Sequence, residues 1–110
     1  LAAAASLLRR KPGLDIAVVE PRDTHDYQPG YTLIGAGVFT IGDVRRPMGK
    51  VMPKGVAWLR TSVQAFDPRK DEIILADGQI LSYRVLIVAT GNRLDFEAID
   101  GLKETLGRNG

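Results

Sequence analysis

The stretch that decides the fold is Leu1–Glu20, LAAAASLLRRKPGLDIAVVE. Its first eleven residues are nearly all strong helix formers. The cationic residues at 9–11 complement the dipole of a helix that Pro12-Gly13 brings to an end. The segment Asp15–Glu20 follows as a short, β-branched apolar run, which is typical of a strand buried on both faces of a parallel sheet. A helix, a tight turn and such a strand are half of a βαβ unit, so the sequence predicts an α/β fold.

Further strands are predicted downstream. Val85–Ala89 is a second fully apolar run, suited to the middle of a parallel sheet. Val56–Arg60 is predicted as another strand. After it, two short apolar segments flank Asp77-Gly78, a dipeptide typical of the tip of a hairpin. The sequence therefore predicts a parallel sheet with an antiparallel β-meander, over about 62–83, inserted before the last strand.

The segment Arg22–Gly55 is rich in proline and glycine. We expect it to be mostly loop, with one or two short helices at Tyr31–Ile34 and Asp43–Val51. So long a connection is unusual in a compact domain and often carries function.

Composition excludes several classes of function. The chain has 110 residues, room for one small domain, and a formal net charge of only +2, which gives no electrostatic footprint for nucleic acid. It contains no cysteine and one histidine, so we expect neither a redox thiol nor a zinc site. No apolar run approaches the roughly 20 residues that span a bilayer. Because the first cationic residues follow the apolar start instead of preceding it, we expect no signal peptide.

Two strand ends carry the candidate binding residues. Glu20 ends the first predicted strand, where dinucleotide-binding sheets place the carboxylate that accepts hydrogen bonds from a ribose. Ala89-Thr90-Gly91 ends the last strand, at the edge of the sheet where ligands lie. Each also has a structural interpretation, as a solvated carboxylate and as a plain turn with glycine. Spacing alone leaves both open.

Other polar and aromatic residues have structural interpretations that we favour. His25 is interpreted as a surface histidine, because no partner for acid/base catalysis is evident. The basic cluster of Arg45, Arg46 and Lys50 could meet a pyrophosphate but is more typical of a solvated helix face. Trp58 is interpreted as a packing residue.

The order of motifs resembles that of the sulfide:quinone oxidoreductases, which are pyridine nucleotide–disulfide oxidoreductase flavoproteins. The motifs are Glu20-Pro21, His25-x-Tyr27-Gln28-Pro29, Thr32–Gly37, Val51–Trp58, Ser82-Tyr83-Arg84, Ala89-Thr90-Gly91, Leu94-Asp95-Phe96 and Ile99–Leu102. Some of them also resemble type II NADH dehydrogenases, which are the alternative within enzymes. A non-catalytic α/β interaction module is the alternative outside them.

The resemblance implies a partial Rossmann-like FAD-binding domain over residues 1–110, without its first strand and glycine-rich turn. It implies these FAD-binding residues: Glu20, Pro21, Gln28, Pro29, Val63, Ala89, Thr90 and Gly91. Glu20 would hold the adenosine ribose, and the backbone of Val63 would meet the adenine. No catalytic residue and no metal ligand is expected in this chain.

The resemblance also implies the activity of a longer parent protein. The parent would oxidise sulfide, pass electrons through FAD and reduce a quinone at a membrane surface. We expect the 110-residue chain to be inactive by itself. We also expect it to self-associate, because two apolar strands would lack the neighbour that normally lies between them.

Overall fold

The opening segment forms the helix and the strand that the sequence predicts, but the predicted burial of the strand on both faces is wrong, since Ala17 is exposed and Val18 and Val19 are half-buried. In the computed structural model, which describes residues 1–108, α1 (Ala2–Arg10) is followed by β1 (Ala17–Val19). Gly13 lies in the turn between them with φ +86°, a left-handed conformation that glycine adopts without a steric penalty. The helix packs inward through Ala4, which is buried.

The parallel pairing joins β1 to β4 (Ala57–Leu59), with Val18 opposite Trp58. The backbone amide of Ala57 also donates to the carbonyl of Ile16, and that of Glu20 to the carbonyl of Leu59, which extends the ladder at both ends. The strand predicted at Val56–Arg60 is therefore confirmed.

The proline- and glycine-rich segment contains more regular structure than its composition indicates. Its elements are β2 (Thr24–Asp26), a 3₁₀ turn (Gln28–Gly30), α2 (Tyr31–Gly35), α3 (Ile41–Val44), β3 (Arg45–Pro47) and α4 (Met48–Val51). β2 and β3 pair antiparallel, with Asp26 opposite Arg45. The prediction of one helix over Asp43–Val51 was wrong, because proline at 47 restricts the preceding residue to extended backbone and the helix is split in two.

The meander is an antiparallel sheet of three strands, β5 (Val63–Asp67), β6 (Glu72–Leu75) and β7 (Ile80–Ser82). Gly78 has φ +84° in the turn between the last two, as the Asp-Gly signal predicts. Ile73 and Leu75 on the central strand are each 3% exposed and form the apolar centre of this sheet.

The strand predicted at Val85–Ala89 is not formed. Within residues 1–108 this segment pairs with no other strand, and Val85, Ile87 and Val88 are 76%, 56% and 59% exposed. An apolar run becomes a strand only where a neighbouring backbone supplies hydrogen bonds, and β1 instead pairs with β4. The predicted α/β class is confirmed by the mixed parallel and antiparallel sheets, but the last parallel strand is not.

The described part of the chain has a small core. Its buried apolar side chains are Ala4, Val44, Met48, Ile73 and Leu75. The radius of gyration is 17.6 Å, against about 13 Å for a compact chain of this length. Within residues 1–108, no helix combines the length and the apolar character needed to cross a bilayer.

Candidate nucleotide-binding cavity

An open cavity of about 400 Å³ lies at the carboxyl end of β1. Six of the eight residues implied by the resemblance line it: Glu20, Gln28, Pro29, Ala89, Thr90 and Gly91. Its volume lies within the roughly 300–1,000 Å³ of small-molecule sites. The structure therefore brings together the two strand-end motifs that the sequence singled out, although only one of them follows a formed strand.

Glu20 is held by three hydrogen bonds. Its amide donates to the carbonyl of Leu59 at 3.0 Å, and its own carbonyl accepts from Nε1 of Trp58 at 2.9 Å. Its carboxylate oxygen Oε1 accepts from the backbone amide of Arg22 at 2.8 Å. The other oxygen, Oε2, has no hydrogen-bond partner in the part of the chain that the structure describes. One carboxylate oxygen is thus used for orientation, and the other is available to a ligand.

The Ala89-Thr90-Gly91 segment offers backbone to the same cavity. Among residues 1–108, no partner hydrogen-bonds to the backbone of these three residues, and all three are exposed. Gly91 has φ +74°, a conformation that residues with a side chain rarely adopt. This segment can therefore present unpaired amides and carbonyls to a bound molecule.

Asp26, which lines the cavity, is fixed by an ion pair. Nε and Nη2 of Arg45 donate to the two carboxylate oxygens of Asp26, at 2.7 and 2.8 Å, and the hydroxyl of Tyr31 donates to the same carboxylate at 2.8 Å. The hydrogen bonds from Arg45, followed by that from Tyr31, hold the pKa of Asp26 well below its usual range. Asp26 is therefore ionised at neutral pH, and its charge is balanced by Arg45.

The network at Asp26 was not anticipated from the sequence. Only the pairing of β2 with β3 could have indicated it, because this pairing brings together two residues 19 positions apart.

The network also bears on the interpretation of the basic cluster of Arg45, Arg46 and Lys50. Arg45 is paired with Asp26, and Nη1 of Arg46 donates to the carbonyls of Gly42 and Arg45, so both guanidinium groups already have partners within the chain.

Two of the implied residues lie apart from the cavity lining. Pro21 follows Glu20 but does not line the cavity, and Val63 begins β5, opposite Leu75. A contact of Val63 with adenine stays a prediction. Conversely, Arg22 and His25 line the cavity, which their sequence context did not indicate. No cluster of three or more metal-ligating side chains is present in residues 1–108.

The sequence of this chain is similar to one segment of the sulfide:quinone oxidoreductases. It is 41% identical over 96 residues to the mitochondrial sulfide:quinone oxidoreductase of Dictyostelium discoideum, covering 87% of this chain and 21% of that protein. It is 40% identical over 101 residues to the mitochondrial sulfide:quinone oxidoreductase of Mus musculus, covering 91% of this chain and 22% of that protein. The chain thus spans about a fifth of the length of the curated relatives it matches. No protein-family model matches it.

The fold comparison agrees. The X-ray structure of the sulfide:quinone oxidoreductase from Aquifex aeolicus superimposes with a TM-score of 0.75 and 24% identity, over 86% of this chain and 22% of that one. At that identity the likeness is one of fold. The resemblance to sulfide:quinone oxidoreductases predicted from the sequence is confirmed by these comparisons.

Proposed function

We propose that this chain is the part of a sulfide:quinone oxidoreductase that holds the adenosine side of FAD. The observation that carries the proposal is the cavity at the end of β1, where the carboxylate of Glu20 and the backbone of Ala89–Gly91 face one space. On this proposal, residues 1–110 form part of a dinucleotide-binding domain of Rossmann type.

The residues of the cavity fit the adenosine half of FAD. The cis-diol of a ribose donates hydrogen bonds, and Oε2 of Glu20 is an acceptor without a partner in the described chain. Since Glu20 is anionic and FAD carries a pyrophosphate, a cation is also needed. Arg22 lines the same cavity, whereas Arg45 is already paired with Asp26.

The remaining residues that line the cavity would contact the bound cofactor and exclude water from it. Gln28 and Pro29, which the resemblance implies as FAD-binding residues, line the same cavity. They are fixed between the Asp26–Arg45 ion pair and the short helix α2. When bound, FAD supplies the capacity to take up and release a pair of electrons. This chain supplies orientation for the cofactor and contributes no catalytic group.

The activity of the whole protein follows from the relatives that the chain resembles. We infer that it oxidises sulfide and delivers the electron pair to a quinone at a membrane surface. The 110 residues contain no cysteine, so a thiol step would depend on residues outside them. By itself the chain would bind and not turn over.

The test is titration of the chain with FAD and with ADP, followed by calorimetry and by flavin absorbance. Glu20→Gln keeps the shape of the side chain but removes its charge, so affinity should fall about 10- to 100-fold, the effect of losing a charge-assisted hydrogen bond. The matched control is Glu104→Gln, the same change on α5 (Leu102–Thr105), which does not line this cavity. Equal affinities for both variants, or no binding of FAD by the unaltered chain, would refute the proposal.

A further inference from the structure

Trp58 makes a side-chain hydrogen bond to the backbone at the end of β1. Its indole Nε1 donates to the carbonyl of Glu20 at 2.9 Å, in a partly buried position. The guanidinium of Arg60 lies 4.1 Å from the centroid of the ring. Gly49 of α4 is also near, since a Cβ added there would be at ordinary van der Waals distance, 3.7 Å, from ring atom Cζ3.

The indole acts where the strand ladder stops. The amide of Glu20 still pairs with the carbonyl of Leu59, as in a parallel ladder. The next bond of such a ladder would run from the amide of Thr61 to the carbonyl of Glu20, but the amide of Thr61 donates to the carbonyl of Leu59 instead. The carbonyl of Glu20 is therefore left without a strand partner, and the indole N–H of Trp58 takes that place.

The orientation of the Glu20 carbonyl affects that of the Glu20 carboxylate through the next two residues of the chain. The carbonyl fixes the plane of the Glu20–Pro21 peptide, and the ring of Pro21 fixes the next φ angle near −65°. Together with the ψ angle of Pro21, these two constraints set the direction of the Arg22 amide, which donates to Oε1 of Glu20 at 2.8 Å. The carboxylate is therefore oriented by an amide whose own direction depends on the indole hydrogen bond.

We propose that Trp58 is a positioning residue for the carboxylate of Glu20, and that it sets the preference of the cavity for nucleoside diphosphates with an intact ribose diol. This proposal rests on the proposed function, because it specifies the part of the ligand, the ribose diol, that Glu20 binds. It assigns to Trp58 a role in specificity beyond the packing that its place on β4 indicates.

The experiment removes the donor and keeps the ring. Trp58 is the only tryptophan of the chain, so all of it can be replaced during expression by 3-benzothienylalanine, in which sulfur stands where the indole has N–H. The matched control is 5-fluorotryptophan, which keeps the N–H. Trp58→Phe is a second donor-free variant that serves if the thienyl analogue does not fold.

Two readouts separate positioning from folding. The first is the ratio of affinities for ADP and 2′,3′-dideoxy-ADP, which we expect to be about tenfold with the donor and below about threefold without it. The second is hydrogen exchange at the Arg22 amide, which should become about tenfold faster, while the amide of Ala57 in the ladder stays protected. The 5-fluorotryptophan protein should match the unaltered chain in both.

The outcomes distinguish this inference from the proposed function. If the donor-free protein keeps the tenfold ratio or the slow exchange at Arg22, Trp58 does not position Glu20. If the unaltered chain binds neither nucleotide, the proposed function fails. In that case the exchange at Arg22 alone supports or refutes the positioning role.

Discussion

Gly30 follows the cavity-lining residues Gln28 and Pro29 and offers a direct test of how this segment is packed. It is buried between the 3₁₀ turn and α2, with φ −73° and ψ −13°, a right-handed conformation open to any residue. Alanine would therefore meet no backbone strain there. A Cβ at this position, however, would lie 2.4 Å from Cγ1 of Val44 and 3.4 Å from Cδ1 of Tyr27. We predict that Gly30→Ala destabilises the chain through this contact alone.

The magnitude follows from the surroundings of Val44. This side chain is 2% exposed and β-branched, so it has little freedom to turn away. Overpacking of this kind costs about 1–3 kcal/mol, and because Gly30 is the N-cap of α2, the helix-interior propensity of alanine gives no offset. We expect a net loss of about 1–3 kcal/mol in the free energy of unfolding. The assay is urea denaturation followed by the fluorescence of Trp58, the single tryptophan.

Two further variants make the reasoning refutable. Gly35→Ala on α2 is the matched control, because a Cβ there meets nothing within 4 Å, and it should be neutral or slightly stabilising. In a Val44→Ala background the new methyl at 30 would fill vacated space, so Gly30→Ala should cost nothing. If the two substitutions add within about 0.5 kcal/mol, or if Gly30→Ala is as stable as Gly35→Ala, the steric explanation is wrong.

Two other predictions concern charge and association. The pKa of Asp26 is lowered in the folded chain, so its ionisation stabilises the fold fully above the unfolded value of about 3.9 and progressively less as the pH falls below it. The stability difference between the unaltered chain and Asp26→Asn should therefore shrink on going from about pH 6 to about pH 3, and urea midpoints that differ equally at both values would contradict this. The exposed Val85–Ala89 segment should drive self-association, so the chain should sediment as a species larger than 12.0 kDa and Ile87→Lys should restore the monomer. Sedimentation of the unaltered chain as a monomer would refute that prediction.

The parts of the fold that could be predicted have local signals. The helix, the turn at Gly13 and β1 follow from helix propensity, a glycine and a β-branched run, each within a few residues. The hairpin at Asp77-Gly78 has a comparable signal. The pairing of β2 with β3 has none, since each strand has three residues and their union depends on contacts across 19 positions. Val85–Ala89 has a strong local signal, but a strand also needs a neighbour, which its own sequence does not specify.

The candidate site divides in the same way. Glu20 and Ala89–Gly91 were singled out because each follows an apolar run, and the resemblance implied that both bind FAD; both line one cavity. Arg22 and His25 were not predicted there, because nothing in a loop sequence indicates which side chains face inward. The commitment of Arg45 to Asp26 was equally hidden, and it removes a cation that the sequence offered for a phosphate.

Substitutions of Trp58 and of Gly30 should differ in their effects, because different kinds of contact hold the residues around the cavity. β1 has three residues and, in the described chain, one neighbouring strand, so the sheet alone cannot fix the residue that follows it. Glu20 is instead oriented by directional contacts, from the indole of Trp58 and the amide of Arg22. Gly30, which follows the cavity-lining residues Gln28 and Pro29, is instead fixed by close packing against Val44. Loss of the indole donor should therefore change what the cavity binds more than whether the chain folds, whereas a methyl group at 30 should do the reverse.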